Sequence, residues 1–288
     1  LFILAFGTSA PEIFSSAVSA IEGKPELAIG NALGSNIFNV GVALGVAALI
    51  SPLKVPAGIL KTEIPVLLLV TVFTGLLMAN LYLGLVDALL LIALTVFLAY
   101  KAYLTKVKNN EQCEEDEECD EAVDEFDLEQ TEGVSNGKSL FLLGLGLVLL
   151  IVSAKALVMA ATAIAESLGV STAVIGLTVV ALGTSLPELA VSVTCVLKGH
   201  YDLAIGNIVG SNILNLLAVL PFPGLFSPDP IEALLVYRDF TAVLILTVLL
   251  SLFCYLAVKR GKMIGRVYGA TFLFIYGAWF TVMLTHLQ

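Results

Sequence analysis

The chain has 288 residues, of which 58% are hydrophobic and 13% charged, with a mean hydropathy of +0.99. Soluble domains are only about 45–50% apolar, so this composition excludes a soluble globular protein and points to a polytopic membrane protein. The net charge of −10 is local: 13 of the 24 acidic residues lie between Glu111 and Glu132, a stretch without Lys or Arg, and the remaining 11 face 14 basic residues.

A bilayer core takes about 20 apolar residues per helix. Nine runs approach that length: Leu1–Ile21, Leu27–Ser51, Glu63–Ala79, Tyr82–Tyr103, Leu140–Ile164, Thr172–Leu197, Leu203–Leu220, Phe240–Val258 and Ile264–Leu284. The predicted fold is therefore all-α. Residues 1–105 form a first half and residues 139–288 a second. Between them, 106–138 carries a block of like charge, which stays solvated rather than packing, so it reads as a flexible linker. The run Leu140–Ile164 has no counterpart in the first half. Completing the symmetry calls for a further helix ahead of Leu1, giving ten helices in the full protein against nine here.

Orientation follows from the excess of basic residues on the cytoplasmic side of membrane proteins. One side holds Lys54, Lys61, Lys101, Lys106, Lys108, Lys138, Lys198, Lys259, Arg260, Lys262 and Arg266, and the other only Lys24 and Arg238. The first side, with the linker, is expected to be cytoplasmic and the C-terminus outside. Cys113 and Cys119 fall in the linker, on the reducing side where a disulfide does not persist. Cys195 and Cys254 fall within spans, where Cys acts as a small hydrophobe.

One phrase occurs twice, 176 residues apart without a gap. Ala5-Phe6-Gly7-Thr8-Ser9-Ala10-Pro11-Glu12 returns as Ala181-Leu182-Gly183-Thr184-Ser185-Leu186-Pro187-Glu188, and Gly34-Ser35-Asn36-Ile37 with Asn39 returns as Gly210-Ser211-Asn212-Ile213 with Asn215. From the span bearing the first copy to the span bearing the second is a step of five, an odd number, so they cross the membrane in opposite directions. Inverted repeats of this kind build secondary transporters, whose ion sites lie near the midplane where broken helices meet. Pro11 and Pro187 break their helices and release the carbonyls of Gly7 and Gly183. Thr8 stands four residues from Glu12 and Thr184 four from Glu188, one helical turn away. Asn31, Ser35 and Asn39 form a stripe at intervals of four, as do Asn207, Ser211 and Asn215. Together these groups supply the roughly six to eight oxygens that Ca²⁺ takes, without soft ligands for zinc or copper.

Plainer readings exist. Gly30 with Gly34 and Gly206 with Gly210 are spacings that let helices approach closely, with Ser and Asn as interhelical glue. A carboxylate in mid-span is different, because it is expensive there and by default functional. Lys155 lies inside a span near its outer end, where it can snorkel. Asp87 reads as interfacial, and Arg238 and Asp239 as a pair at the start of a helix.

At these residues the chain resembles the sodium/calcium exchanger branch of the cation/calcium exchanger superfamily, over nearly its whole length. Its linker of about thirty residues resembles prokaryotic members, which implies a bacterial inner membrane. The resemblance implies that Glu12 and Glu188 are shared Ca²⁺ and Na⁺ ligands. It further implies roles for Thr8, Ser9 and the Ala5 carbonyl, for Thr184, Ser185 and the Ala181 carbonyl, and for Ser35, Asn39, Ser211 and Asn215. Potassium-dependent relatives resemble one another in an aspartate where this chain has Asn215, so the expectation is potassium-independent, electrogenic Na⁺/Ca²⁺ antiport by alternating access. Proton coupling is the runner-up, and potassium-dependent exchange stands behind it. A channel would need stacked acids or a carbonyl filter, and an intramembrane hydrolase a mid-span nucleophile and base; neither set is present in the sequence. Ca²⁺, Na⁺ and the lipid bilayer are the expected partners, with no enzymatic activity, resident cofactor, nucleic acid or obligate protein partner.

Overall fold

The computed structural model describes residues 2–113 and 136–285, and the core of the predicted linker, including Cys119, lies outside the described residues. Helices α1 (Phe2–Thr8), α2 (Ala10–Ile21), α3 (Pro25–Ile50), α4 (Ala57–Met78) and α5 (Leu85–Cys113) make up the first half. The second contains α6 (Asn136–Leu168), α7 (Thr172–Thr184), α8 (Leu186–Leu197), α9 (Tyr201–Phe226), α10 (Leu235–Lys259) and α11 (Arg266–Thr285). Helical backbone thus extends into both ends of the predicted linker.

Seven of these helices are long and apolar enough to cross a bilayer, and α7 with α8, bent by 43°, is together long and apolar enough to form a broken span or a re-entrant loop. The pair α1 and α2 is the counterpart of α7 and α8, each piece too short to cross alone. The breaks have a local cause. Pro11 and Pro187 are accommodated in the first turn of a new helix, where the missing N–H is unneeded. The residue before each new helix therefore leaves helical geometry in the same way: Ser9 has φ −83° and ψ 2°, and Ser185 φ −89° and ψ 5°.

The broken pairs turn back into α3 and α9 through matching caps. Gly23 (φ 71°) and Gly199 (φ 84°) occupy the left-handed region that glycine enters without steric penalty. The following amides close the cap, Lys24 N–H donating to Ser19 O and His200 N–H to Cys195 O.

Helices α3 and α9 form the centre, 78% buried over their apolar windows, against 11% for α5 and 22% for α6 and α11. The outer helices turn large side chains such as Leu76, Val86, Val96, Tyr100 and Val267 outward, as expected for a surface that meets lipid. Close approach at the centre needs glycine. A Cβ on Gly30 would sit 2.6 Å from Ala173 O, and one on Gly176 2.6 Å from Leu27 O, so α3 and α7 cross backbone to backbone. The glycine spacing read as a packing device acts as one here.

Small β pairings tie the loops together at both ends. Strand β1 (Tyr82–Leu83) runs antiparallel to β2 (Asp229–Pro230), and Leu53 bridges Ile264. Four wide π-helical turns interrupt the α pattern, at Asn39–Leu44, Gly176–Val180, Asn215–Val219 and Leu235–Phe240. Such turns frequently mark functional positions, and the first and third begin at the last residues of the two polar stripes.

Candidate cation site

The first turns of α2 and α8 meet at the centre of the molecule, and Glu12 and Glu188, one on each, are both fully buried. Each carboxylate is bonded by the opposite half. Ser185 Oγ donates to Glu12 Oε1 at 2.8 Å, and Ser9 Oγ donates to Glu188 Oε1 at 3.0 Å. Ser211 Oγ adds a bond to Glu188 Oε1 at 3.3 Å.

The sequence reading put Thr8 one turn from Glu12 and Thr184 one turn from Glu188 on one helix face. The helix is broken between each Thr and its Glu, so that face does not continue. Thr8 Oγ1 donates instead to Asn207 Oδ1 at 3.3 Å and Thr184 Oγ1 to Asn31 Oδ1 at 3.0 Å, again across the halves. Each threonine also donates to a carbonyl three residues earlier: Thr8 Oγ1 to Ala5 O at 3.2 Å, Thr184 Oγ1 to Ala181 O at 3.3 Å. Those two carbonyls also accept Ser9 N–H and Ser185 N–H.

The stripe residues are buried. Asn39 Nδ2 donates to Asn212 Oδ1 at 3.1 Å, and Asn215 Nδ2 to Asn36 Oδ1 at 3.0 Å. Asn31 Nδ2 braces α3 against α2 through Ser16 Oγ at 2.9 Å and Glu12 O at 3.3 Å. Of the twelve predicted site residues, Glu12, Glu188, Thr8, Ser9, Thr184, Ser185 and Ser211 bond across or within this centre, with the Ala5 and Ala181 carbonyls beside the threonines. Asn39 and Asn215 bond across the halves to Asn212 and Asn36, and Ser35 is buried without a bond. Sequence reasoning missed Ser16, Asn36 and Asn212. The two asparagines are repeated in the motif, but they lie off the interval of four that picked out the stripes.

Five oxygens of the site are buried without any donor: Glu12 Oε2, Glu188 Oε2, Ser35 Oγ, Asn39 Oδ1 and Asn215 Oδ1. A buried acceptor with no donor costs about 1–3 kcal/mol, more when charged. A hard cation within reach of such oxygens would remove that cost, and oxygen-only ligation suits Ca²⁺ and similar ions.

The remaining charged groups stand apart. Lys155 lies on an exposed face of α6. Asp87 Oδ2 accepts Gly84 N–H at 2.9 Å near the start of α5. Asp239 is fully buried, held by Arg238 Nε at 2.8 Å and Nη2 at 2.9 Å and by Trp279 Nε1 at 2.8 Å. Cys195 and Cys254 are buried free thiols.

The family described as sodium/calcium exchanger protein matches residues 1–107 and 138–285 of this sequence. The chain belongs to that family. It is 39% identical over 279 residues to the putative antiporter CaxA of Alkalimonas amylolytica, covering 96% of this chain and 84% of that one. It is 33% identical over 310 residues to the sodium/calcium exchanger MaX1 of Methanosarcina acetivorans, covering 98% and 87%. Among solved structures it is similar to the sodium-calcium exchanger NCX_Mj soaked with 100 mM Na⁺ and 10 mM Sr²⁺. The TM-score is 0.66 and the identity 31%, with 97% of this chain and 84% of that one covered. The family is one of cation/calcium antiporters, in keeping with the all-helical, polytopic fold.

Proposed function

We propose that this protein exchanges Na⁺ for Ca²⁺ by alternating access around Glu12 and Glu188, without potassium and with net movement of charge. The observation that carries the reading is the set of five donorless oxygens, which belong to both halves and include both carboxylates. Two buried negative charges match one Ca²⁺ or two Na⁺, so the two loads compete for one site. A site with its charges uncompensated is too expensive to carry through a low-dielectric barrier, and coupling follows from that competition.

Further Na⁺ would use the hydroxyls of Thr8, Ser9, Thr184, Ser185 and Ser211 with the carbonyls of Ala5 and Ala181. Loading more than two Na⁺ makes the cycle electrogenic, at about 2.3 kcal/mol per elementary charge per 100 mV. Asn215 supplies an amide oxygen rather than a third carboxylate, which leaves no additional negative charge to hold K⁺. The distribution of basic loop residues supports a cytoplasmic linker and an outward C-terminus in a bacterial inner membrane.

The test is Ca²⁺ uptake into proteoliposomes of the full-length protein under separately imposed Na⁺, K⁺ and H⁺ gradients. An outward Na⁺ gradient should drive uptake, removing K⁺ should leave it unchanged, and a clamped membrane potential should alter its rate. Uptake driven equally by a proton gradient alone, or abolished without K⁺, would replace the proposed coupling.

A further inference from the structure

Resting on that reading, we propose that Asn36 and Asn212, neither of which is counted among the ligands, are positioning residues that turn the amide oxygens of Asn39 and Asn215 toward the cation. The four side chains form a reciprocal clasp across the two halves, on residues 0–1% exposed. Asn36 Nδ2 donates to Asn212 O at 3.3 Å, and Asn212 Nδ2 donates to Asn36 O at 3.5 Å. The two Oδ1 atoms then accept from Asn215 and Asn39.

An asparagine amide has a donor end and an acceptor end of nearly the same shape, so its orientation is set by its partners. Here the partners allow one answer. A backbone carbonyl only accepts, so Asn36 and Asn212 must present Nδ2 to each other's main chain. That leaves Oδ1 of each for its second neighbour, which must offer Nδ2 in return. Asn39 and Asn215 therefore have their oxygens on the free side, and both oxygens lack donors. Reversing either amide would set oxygen against oxygen in the clasp and offer N–H groups, which repel a cation, to the site. Each half orients the ligand of the other: Asn212 on α9 sets Asn39 on α3, and Asn36 on α3 sets Asn215 on α9.

A carboxylate has oxygen at both ends and needs no such orientation, which supplies a test that packing alone would not pass. Four proteins are reconstituted: wild type, Asn36→Ala, Asn215→Asp and the double variant, and the Ca²⁺ KM of Na⁺-driven uptake is measured for each. Asn36→Ala should raise the KM about tenfold, with a smaller change in maximal rate. Asn215→Asp in the wild-type background places a carboxylate oxygen against Asn36 Oδ1 and should not lower the KM. In the Asn36→Ala background the same change should bring the KM back to within about threefold of wild type. Equal effects of Asn215→Asp in both backgrounds, or an unshifted KM in Asn36→Ala, would overturn the orienting role. Should Asn36→Ala fail to fold, Asn212→Ala serves in its place, with Asn39→Asp as the rescue. Wild-type protein that takes up no Ca²⁺ would overturn the exchanger reading itself, whereas active wild type with additive variants would sink only this one.

Discussion

The two halves share a motif, yet they are not equally braced. Around the carboxylates they match: Ser9 bonds Glu188 as Ser185 bonds Glu12, and Thr8 bonds Asn207 as Thr184 bonds Asn31. One turn further along they diverge. Asn31 Nδ2 is bonded to Ser16 Oγ, whereas Asn207 Nδ2 and Ser192 Oγ, the same residues in the second half, are buried with no partner. Ser211 reaches a carboxylate and its counterpart Ser35 does not. The serine pair Ser15 and Ser19 on α2 becomes Val191 and Cys195 on α8. Under the proposed exchange, chemical symmetry is kept where both halves would grip one load and dropped one turn away, where they would move. An inverted-repeat transporter in any one state has one side sealed and the other loosened, so unequal bracing of equal residues is what a single snapshot should contain.

The largest effect should come where the halves agree. Glu12→Gln and Glu188→Gln each remove one of two charges from a dehydrated site, and each should lower Na⁺-driven Ca²⁺ uptake by about 10³-fold, ~4 kcal/mol at tenfold per 1.4 kcal/mol. A large inequality between the two would break the symmetry argued for the carboxylates.

Next comes a site where the halves differ outright. Asp239 is locked by Arg238 and Trp279, while the matching position in the first half, Glu63, follows Thr62 and has no adjacent guanidinium. Removing one partner of a buried ion pair costs about 3–5 kcal/mol, so Asp239→Asn should lower the thermal midpoint in detergent sharply. Glu63→Gln should stay within about 0.5 kcal/mol, the ordinary range for substitutions away from such features.

Smaller effects test the crossed bonds. Hydrogen bonds to charged groups are worth about 1.5–3 kcal/mol, so Ser9→Ala and Ser185→Ala should each raise the Ca²⁺ KM by about tenfold, and by similar amounts. The smallest contrast is the most specific to the bracing. Ser16→Ala removes a made bond and should destabilise by about 1 kcal/mol, whereas Ser192→Ala removes an unpaired hydroxyl and should be close to neutral. Equal costs for Ser16→Ala and Ser192→Ala in chemical denaturation would refute the asymmetry.

Much of this molecule is legible in one dimension because its causes are local. Apolar run length sets the spans, the 176-residue recurrence sets the two halves and their opposed directions, and Pro11 and Pro187 set the breaks through a missing N–H. The carboxylates stand out because a charge in a long apolar run has no plain explanation. The pairing of groups is another matter. That Ser185 rather than Thr8 serves Glu12, that Asn36 and Asn212 clasp two other amides, and that Asp239 meets Trp279 forty residues away all depend on where separate helices come to rest. Intervals of four describe a helix that continues, and these helices break at Ser9 and Ser185, so the register carried along one face stops where the chemistry begins. The bonds that knit the site across the two halves join residues more than 150 positions apart, and no local propensity encodes them; only tertiary packing, with α3 on α7 and α9 on α1 over bare glycine backbone, decides which oxygen is paired and which is left without a donor.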